Sequence, residues 1–389
     1  MINYRPGNGK LKRSLRCNSN LHKYFLERIV FTAQNKNMRM IDGQSNVAPI
    51  YIPTLCRYKH FKRAIESLKA NTWAKYTSVY IALDYPANDR HIEGYKRICE
   101  YLENGDFSLF NEFHIVKRTE NMGSLENSDA IRNEIMTKYD RWIYAEDDIE
   151  FSPIFLEYMN LCLDFFKDDP TVFAVNGYSY DINWKVDPGA TVLKQKGTVS
   201  AWGIGYWKDK FLDAKKDLKN NYLRNHFNRA AKTGILKEMI AGRYCDYVGF
   251  ALSGNQNSLY QNISDVSLGI YINLKDMYII TPVVSKTRNH GFDGSGLYCS
   301  KVNKYTNKNS LEYNYDKQCI DEKKQVEIIL DSGNFYKDNI RSLSKFLFVS
   351  KRREIVTSFM MAAYLILGQS RCEKSYQTLK TLKYGFIKQ

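Results

Sequence analysis

Four short apolar runs, residues 47–53, 78–83, 113–116 and 142–145, are separated by stretches with helical periodicity. Phe61, Ala64, Ile65 and Leu68 fall on one helical face, Tyr95, Ile98, Cys99 and Leu102 on another, and Ile131, Ile135 and Met136 on a third. Apolar residues recurring at i, i+3 and i+4 mark amphipathic helices, and short uninterrupted apolar runs suit strands covered on both faces. The alternation predicts an α/β fold, with helices on both faces of a sheet built around parallel strands.

The fourth run leads directly into Glu146, Asp147 and Asp148. Open α/β sheets bind ligands at the C-terminal ends of their strands. Adjacent carboxylates repel one another, so a fold that holds three together there favours a cation. Hard oxygen donors suit Mg²⁺ or Mn²⁺, particularly where substrate phosphates complete the shell. The alternative is a solvated acidic turn before a helix. Ser152-Pro153 then reads as the N-cap and first position of that helix.

Further along, residues 172–175 read as a strand, 180–200 as irregular, and 207–240 as helical. Ser200 to Trp207 mixes glycines with aromatics; it reads either as a loop closing over a sugar ring or as a core aromatic cluster with turn glycines. Asp246 stands alone in the 242–247 segment, as an acid for chemistry or a helix cap. Residues 265–284 look strand-like. Arg288 to Gly296 is a glycine-rich loop, where His290 is either a ligand or a solvated residue.

Several classes are excluded. There is no GxGxxG after the first strand and no GxxxxGK[ST]. The eight cysteines form no CxxC pair and fit a reducing cytosol. The net charge of +15 is confined to the ends: residues 1–46 carry 9 basic and 2 acidic side chains, and 301–389 carry 17 and 9. Residues 47–300 balance at 31 each, which argues against a nucleic-acid groove in that region. The basic ends fit either an anionic partner such as a membrane surface or Lys-rich tails that aid solubility. No secretory segment is visible, and the apolar run Ile355 to Leu367 is too short to span a bilayer. The expected organisation is a basic arm over 1–46, a domain over 47–300 dividing near 150 into nucleotide-binding and acceptor halves, and a linker with a helical basic tail over 301–389.

Four ordered features carry a family resemblance: Pro53-Thr54 with Arg57; Asn121-Met122-Gly123 with Ala130-Ile131-Arg132-Asn133; Glu146-Asp147-Asp148 before Ser152-Pro153; and the glycine-aromatic stretches Trp202 to Trp207 and Gly291 to Gly296. Together they resemble nucleotide-sugar glycosyltransferases of the GT-A fold. The likeness is to bacterial family-2-like enzymes of capsule or surface-polysaccharide synthesis, and, around the acids, to N-acetylglucosaminyltransferase I. The resemblance implies a Rossmann-like mixed sheet and transfer of a hexosyl or N-acetylhexosaminyl group from a nucleotide-sugar donor to a saccharide or lipid-linked acceptor. It implies Asp148 as the ligand of Mn²⁺ or Mg²⁺, with His290 as a second. Glu146 and Asp147 would contact sugar, ribose or metal-bound water, and Asp84 the base or ribose. Thr54, Arg57, Asn121, Gly123 and Arg132 complete the donor site. Asp246 is the first candidate for the base of an inverting transfer and Asp293 the second. The first strand ends in Ile-Pro-Thr-Leu-Cys-Arg, less polar than in many relatives, which leaves the nucleotide open, with UDP favoured. A sugar-phosphate nucleotidyltransferase lacks its usual glycine-rich phosphate loop here; an inactive scaffold of the same fold has the intact acids against it. Such a transferase is expected in the cytoplasm, peripherally on the inner face of the membrane.

Overall fold

The computed structural model describes residues 47–253, 260–296, 318–347 and 349–375. The basic arm expected over 1–46 lies outside them, as does the end of the C-terminal tail.

The first half follows the alternation in the sequence: β1 (Ile50–Thr54), α1 (Tyr58–Lys69), β2 (Ser78–Leu83), α2 (Asp89–Asn104), β3 (Glu112–Lys117), α3 (Ser124–Ile135) and β4 (Arg141–Ala145). β1 pairs in parallel with β2 and β4, and β2 with β3. Successive side chains of a strand point to opposite faces. Ile50, Ile52, Val79, Ile81, Leu83, Ile143 and Ala145 therefore enter one core with the apolar face of α1. Tyr51, Tyr80, Ala82 and Trp142 enter the other with Ile131 and Ile135 of α3.

The second half comprises β5 (Ile149–Phe151), α4 (Phe155–Phe165), β6 (Val172–Asn176), β7 (Val192–Gln195), β8 (Trp202–Trp207), α5 (Lys208–Lys219), α6 (Tyr222–Asn225), α7 (Phe227–Thr233), α8 (Ala241–Leu252), α9 (Asp265–Leu274), β9 (Tyr278–Pro282), β10 (Thr287–Asn289), α10 (Tyr336–Phe346) and α11 (Lys351–Leu367). The main sheet has the order β3-β2-β1-β4-β8-β6-β9-β7, and β5 pairs separately with β10. β8 runs antiparallel to both β4 and β6, so the sheet is mixed. The α/β class with helices on both faces is the one expected.

Several local expectations change. Residues 202–207 are a central strand, with Ile204 and Tyr206 in one core and Trp207 in the other, so the core-aromatic reading holds and the closing loop does not. The irregular 180–200 stretch contains β7. Val266, Leu268, Ile270, Ile272 and Leu274 alternate like a strand, yet 265–274 is helical. Ser264 and Ser267 form a capping box, and residues 267–274 are buried all round, so periodicity does not discriminate. Ser152 does not cap α4: Glu150 and its neighbours form β5 first, and the Ser152 hydroxyl donates to the carbonyl of Asp321. Residues read as linker pack instead: Val326 and Ile328 enter the first core, and Leu330 bridges to Val192.

β8 is admitted by one backbone position. Gly203 has φ +91°, and a Cβ there would lie 2.9 Å from the Phe155 ring and 3.0 Å from the Thr287 methyl. Gly203→Ala should cost about 1–3 kcal/mol of stability, read from the urea unfolding midpoint.

Candidate functional site

The site grows from the ends of β1 and β4. Thr54 closes β1, and Arg57 lies one residue before α1. The three acids follow β4. The Thr54 hydroxyl donates to Asp147 Oδ2 at 2.7 Å. Arg57 donates through Nη1 to Asp148 Oδ2 at 2.7 Å and through Nη2 to Asp147 Oδ1. One guanidinium thus bridges two largely buried carboxylates. Burial works against the charge on Arg57, but Asp147 and Asp148 hold it above its usual range. Burial also raises Asp148, against the pull of Arg57 and with Asp147 adding to the rise. Glu146 has no hydrogen bond to a described side chain; burial and then the charge of Asp148 push it up to about 8. Three carboxylates therefore share one cation.

Residues 289–293 close over the acids. The His290 amide donates to the Asp148 carbonyl at 2.9 Å. The Asn289 amide side chain approaches Asp148 Oδ1 at 3.5 Å, and its own Oδ1 accepts from the Gly291 amide at 2.6 Å. Gln318 Oε1 in turn accepts from the Asn289 amide at 3.0 Å. A Cβ at Gly291 would lie 2.1 Å from Asp148 Oδ2. The His290 ring bonds Glu150 at 2.6 Å, and this hydrogen bond, against a cost of burial, lowers Glu150. Asp293 bonds the His60 ring at 2.9 Å and the Ser295 hydroxyl at 2.6 Å. Against burial, these bonds hold Asp293 down at about 2.

The other expected residues sit further out. Asp84, buried at the end of β2, accepts from the amides of Tyr85 (2.9 Å), Met122 (2.9 Å) and Gly123 (3.0 Å) and from Asn121 Nδ2 (3.3 Å). It shapes the 121–123 turn, and the turn in turn occupies its carboxylate. Arg132 is buried, paired with Asp129 and stacked 4.7 Å over Phe211, below the acids rather than among them. Asp246 lies inside α8, not at its N-cap; Arg243 holds one oxygen at 3.2 Å and Arg353 the other.

Sequence reasoning missed three contributors. His60 anchors the 289–296 loop, and its position one turn after Arg57 on α1 was the available signal. Arg243 bonds both Asp246 and Asp265, the latter at 3.0 Å. Asp265 adds to the raised state of Glu146, so it belongs to the same electrostatic neighbourhood. It was hidden because its segment read as a strand. Trp202, already singled out in the glycine-aromatic stretch of the sequence, lies opposite Ala145 in the β4–β8 register and packs edge-on to Tyr178 at 4.5 Å and Phe292 at 5.7 Å.

Among the described residues no group of three or more His, Cys, Asp or Glu side chains is arranged to hold a metal ion. No described helix is long and apolar enough to cross a membrane.

No protein-family model matches the chain. No curated protein matches it either. Among solved structures, S. aureus TarS 1–349 in complex with UDP-GlcNAc is similar at 15% identity and a TM-score of 0.31, over 44% of this chain and 48% of that one. Against the longer S. aureus TarS the identity is 14% and the TM-score 0.30, over 43% of this chain and 29% of that one. The chain thus spans less than half the length of either TarS chain. The mannosyltransferase PcManGT from Pyrobaculum calidifontis, in complex with GDP-Man and Mn²⁺, shares 10% identity at a TM-score of 0.31, over 86% of this chain and 79% of that one. Likenesses at this level decide nothing about the activity of this chain.

The contact between Gly291 and Asp148 makes a direct prediction. Gly291→Ala should push the 289–293 loop off the Asp148 carboxylate and cost about 1–3 kcal/mol of stability, read from the urea unfolding midpoint.

Proposed function

We propose that the chain is a GT-A-type glycosyltransferase. It would move a hexosyl or N-acetylhexosaminyl group from a nucleotide sugar, a UDP-sugar first among the candidates, to a saccharide or lipid-linked saccharide in surface-polysaccharide synthesis. The observation that carries the reading is the acid turn at the C-terminal end of β4, clamped by Thr54 and Arg57, with Glu146 making no side-chain hydrogen bond among the described residues. That edge of an α/β sheet is where a nucleotide is bound.

The residues present fit a divalent cation. Glu146, without a side-chain hydrogen bond among the described residues, is a hard oxygen donor, and Asp148 is a second. His290 is engaged by Glu150 and is the weaker ligand candidate. When bound, Mn²⁺ or Mg²⁺ supplies Lewis-acid stabilisation of the departing diphosphate. Arg57, with Thr54 beside it, adds fixed positive charge on the same edge. Asp84 orders the turn of Asn121 and Gly123 that borders the nucleotide. Trp202, partly exposed, offers an apolar face to a sugar.

Inverting transfer needs a carboxylate that takes the acceptor proton opposite the leaving group. Asp293, held at about 2, is a weak base at neutral pH. Asp246 has both oxygens occupied by arginines. Asp265 has one carboxylate oxygen bound to Arg243 and a side chain 54% exposed, and we take it before Asp246 and Asp293 for this role.

Incubation with UDP-, GDP- and dTDP-sugars, with Mn²⁺, Mg²⁺ or EDTA, should release nucleoside diphosphate from one donor in a metal-dependent way. Failure to bind or hydrolyse any donor would sink the reading. Asp148→Ala should abolish this release while the protein stays folded, as read from its circular dichroism spectrum. Asp265→Asn should keep donor binding and lower transfer by about 10²–10⁴-fold; unimpaired transfer would return the role to Asp246.

A further inference from the structure

α11 is apolar on two opposite faces. Its inner face is anchored: Tyr364 packs edge-on to Phe227 at 5.3 Å, its hydroxyl donates to Asn228 at 2.9 Å, and Thr357 is buried on the same side. Ile355, Phe359, Ala362 and Ile366 recur at i, i+4, i+7 and i+11, which places them on the other side. Ile355, Phe359 and Ile366 are 55%, 72% and 81% exposed, and Leu365 beside them is 78% exposed. No charged residue interrupts 355–367. The helix therefore presents an apolar strip about 20 Å long, fixed to the body of the protein by its back.

The strip has a basic border. Residues 341–374 carry seven basic and two acidic side chains. Lys345, Lys351, Arg352, Arg371 and Lys374 are all exposed. This charge argues against a second copy as the occupant, because a symmetric contact would bring two basic borders together. It complements an anionic lipid surface, where an apolar helix face enters the headgroup region and flanking Lys and Arg side chains meet acidic lipids.

We infer that the outer face of α11 is a membrane-docking surface for anionic lipid, held in the plane of the interface. The docking itself does not depend on the chemistry of the site. Its use does rest on the proposed transfer. Arg353, in the first turn of α11, bonds Asp246; Arg243 joins Asp246 to Asp265, and Asp265 is felt by Glu146. Ion pairs thus lead from the docking helix as far as Asp265, the candidate base of the proposed transfer.

The test is co-sedimentation of the full chain with vesicles of phosphatidylcholine alone or with roughly a third phosphatidylglycerol, at low and high salt. Binding should require the anionic lipid. The Phe359→Asp, Ile366→Asp double variant should bind about tenfold or more weakly, the loss expected when large apolar side chains no longer partition, with its melting temperature retained. A wild-type chain that ignores anionic vesicles overturns the proposal. So does a double variant that binds as the wild type does, which would assign binding to the basic ends alone. Wild-type dimers in sedimentation velocity that the double variant abolishes, without lipid binding, would assign the face to a second copy. Vesicle binding without any donor hydrolysis would support the docking surface and reject the transferase reading separately.

Discussion

Holding three carboxylates side by side in a half-buried turn costs free energy, and the Arg57 guanidinium offsets it. It bonds Asp147 and Asp148 at once, while Thr54 takes the remaining oxygen of Asp147. A guanidinium suits this task because its donors form a planar fork and its charge is not lost on burial. Removing one partner from a buried ion pair typically costs about 3–5 kcal/mol. One cation cannot balance three acids, however, and Glu146 carries the surplus as a raised proton affinity. The turn is thus set up to accept further positive charge.

The rest of the fold is arranged around that turn. The parallel strands β1, β2 and β4 bring Thr54, Asp84 and the acids to one edge of the sheet. The chain then returns across it: β8 places Trp202 beside Ala145, and β10 leads into Asn289, His290 and Gly291 over Asp148. His60 on α1 and Asp293 fasten this return loop to the first half. The helical region beyond β8 contributes Arg243, Asp246 and Asp265, and through Arg353 connects the site to α11. Arg353 and Arg243 join α11 to Asp246 and Asp265 by ion pairs.

The first half of the fold was legible because its signals are local. The apolar runs of β1, β2, β3 and β4 and the helical faces of α1 and α2 are short-range patterns, and the acids, Thr54 and Arg57 follow them at fixed offsets. Where burial is complete, the patterns lose meaning. The alternating apolar residues of 265–274 look like a strand, but residues 267–274 are buried on every side of that helix, and Ser264 decides its start. The glycines of 202–207 suggest a loop, but they admit Phe155 and Thr287 against a central strand.

The sequence by itself determined the α/β alternation, the acid turn at a strand end and the basic, amphipathic C-terminal region, since each follows from residue type and spacing along the chain. Only the tertiary structure decided which charges meet. Arg57 with Asp147 and Asp148, His60 with Asp293, Arg243 with Asp246 and Asp265, and the close approach of Gly291 to Asp148 join residues mostly far apart in sequence. Their pairing depends on strand order and on the path of the returning loop. Hydrogen bonds and ion pairs act over a few ångströms, so their partners are fixed by the folded geometry and not by the distance along the chain.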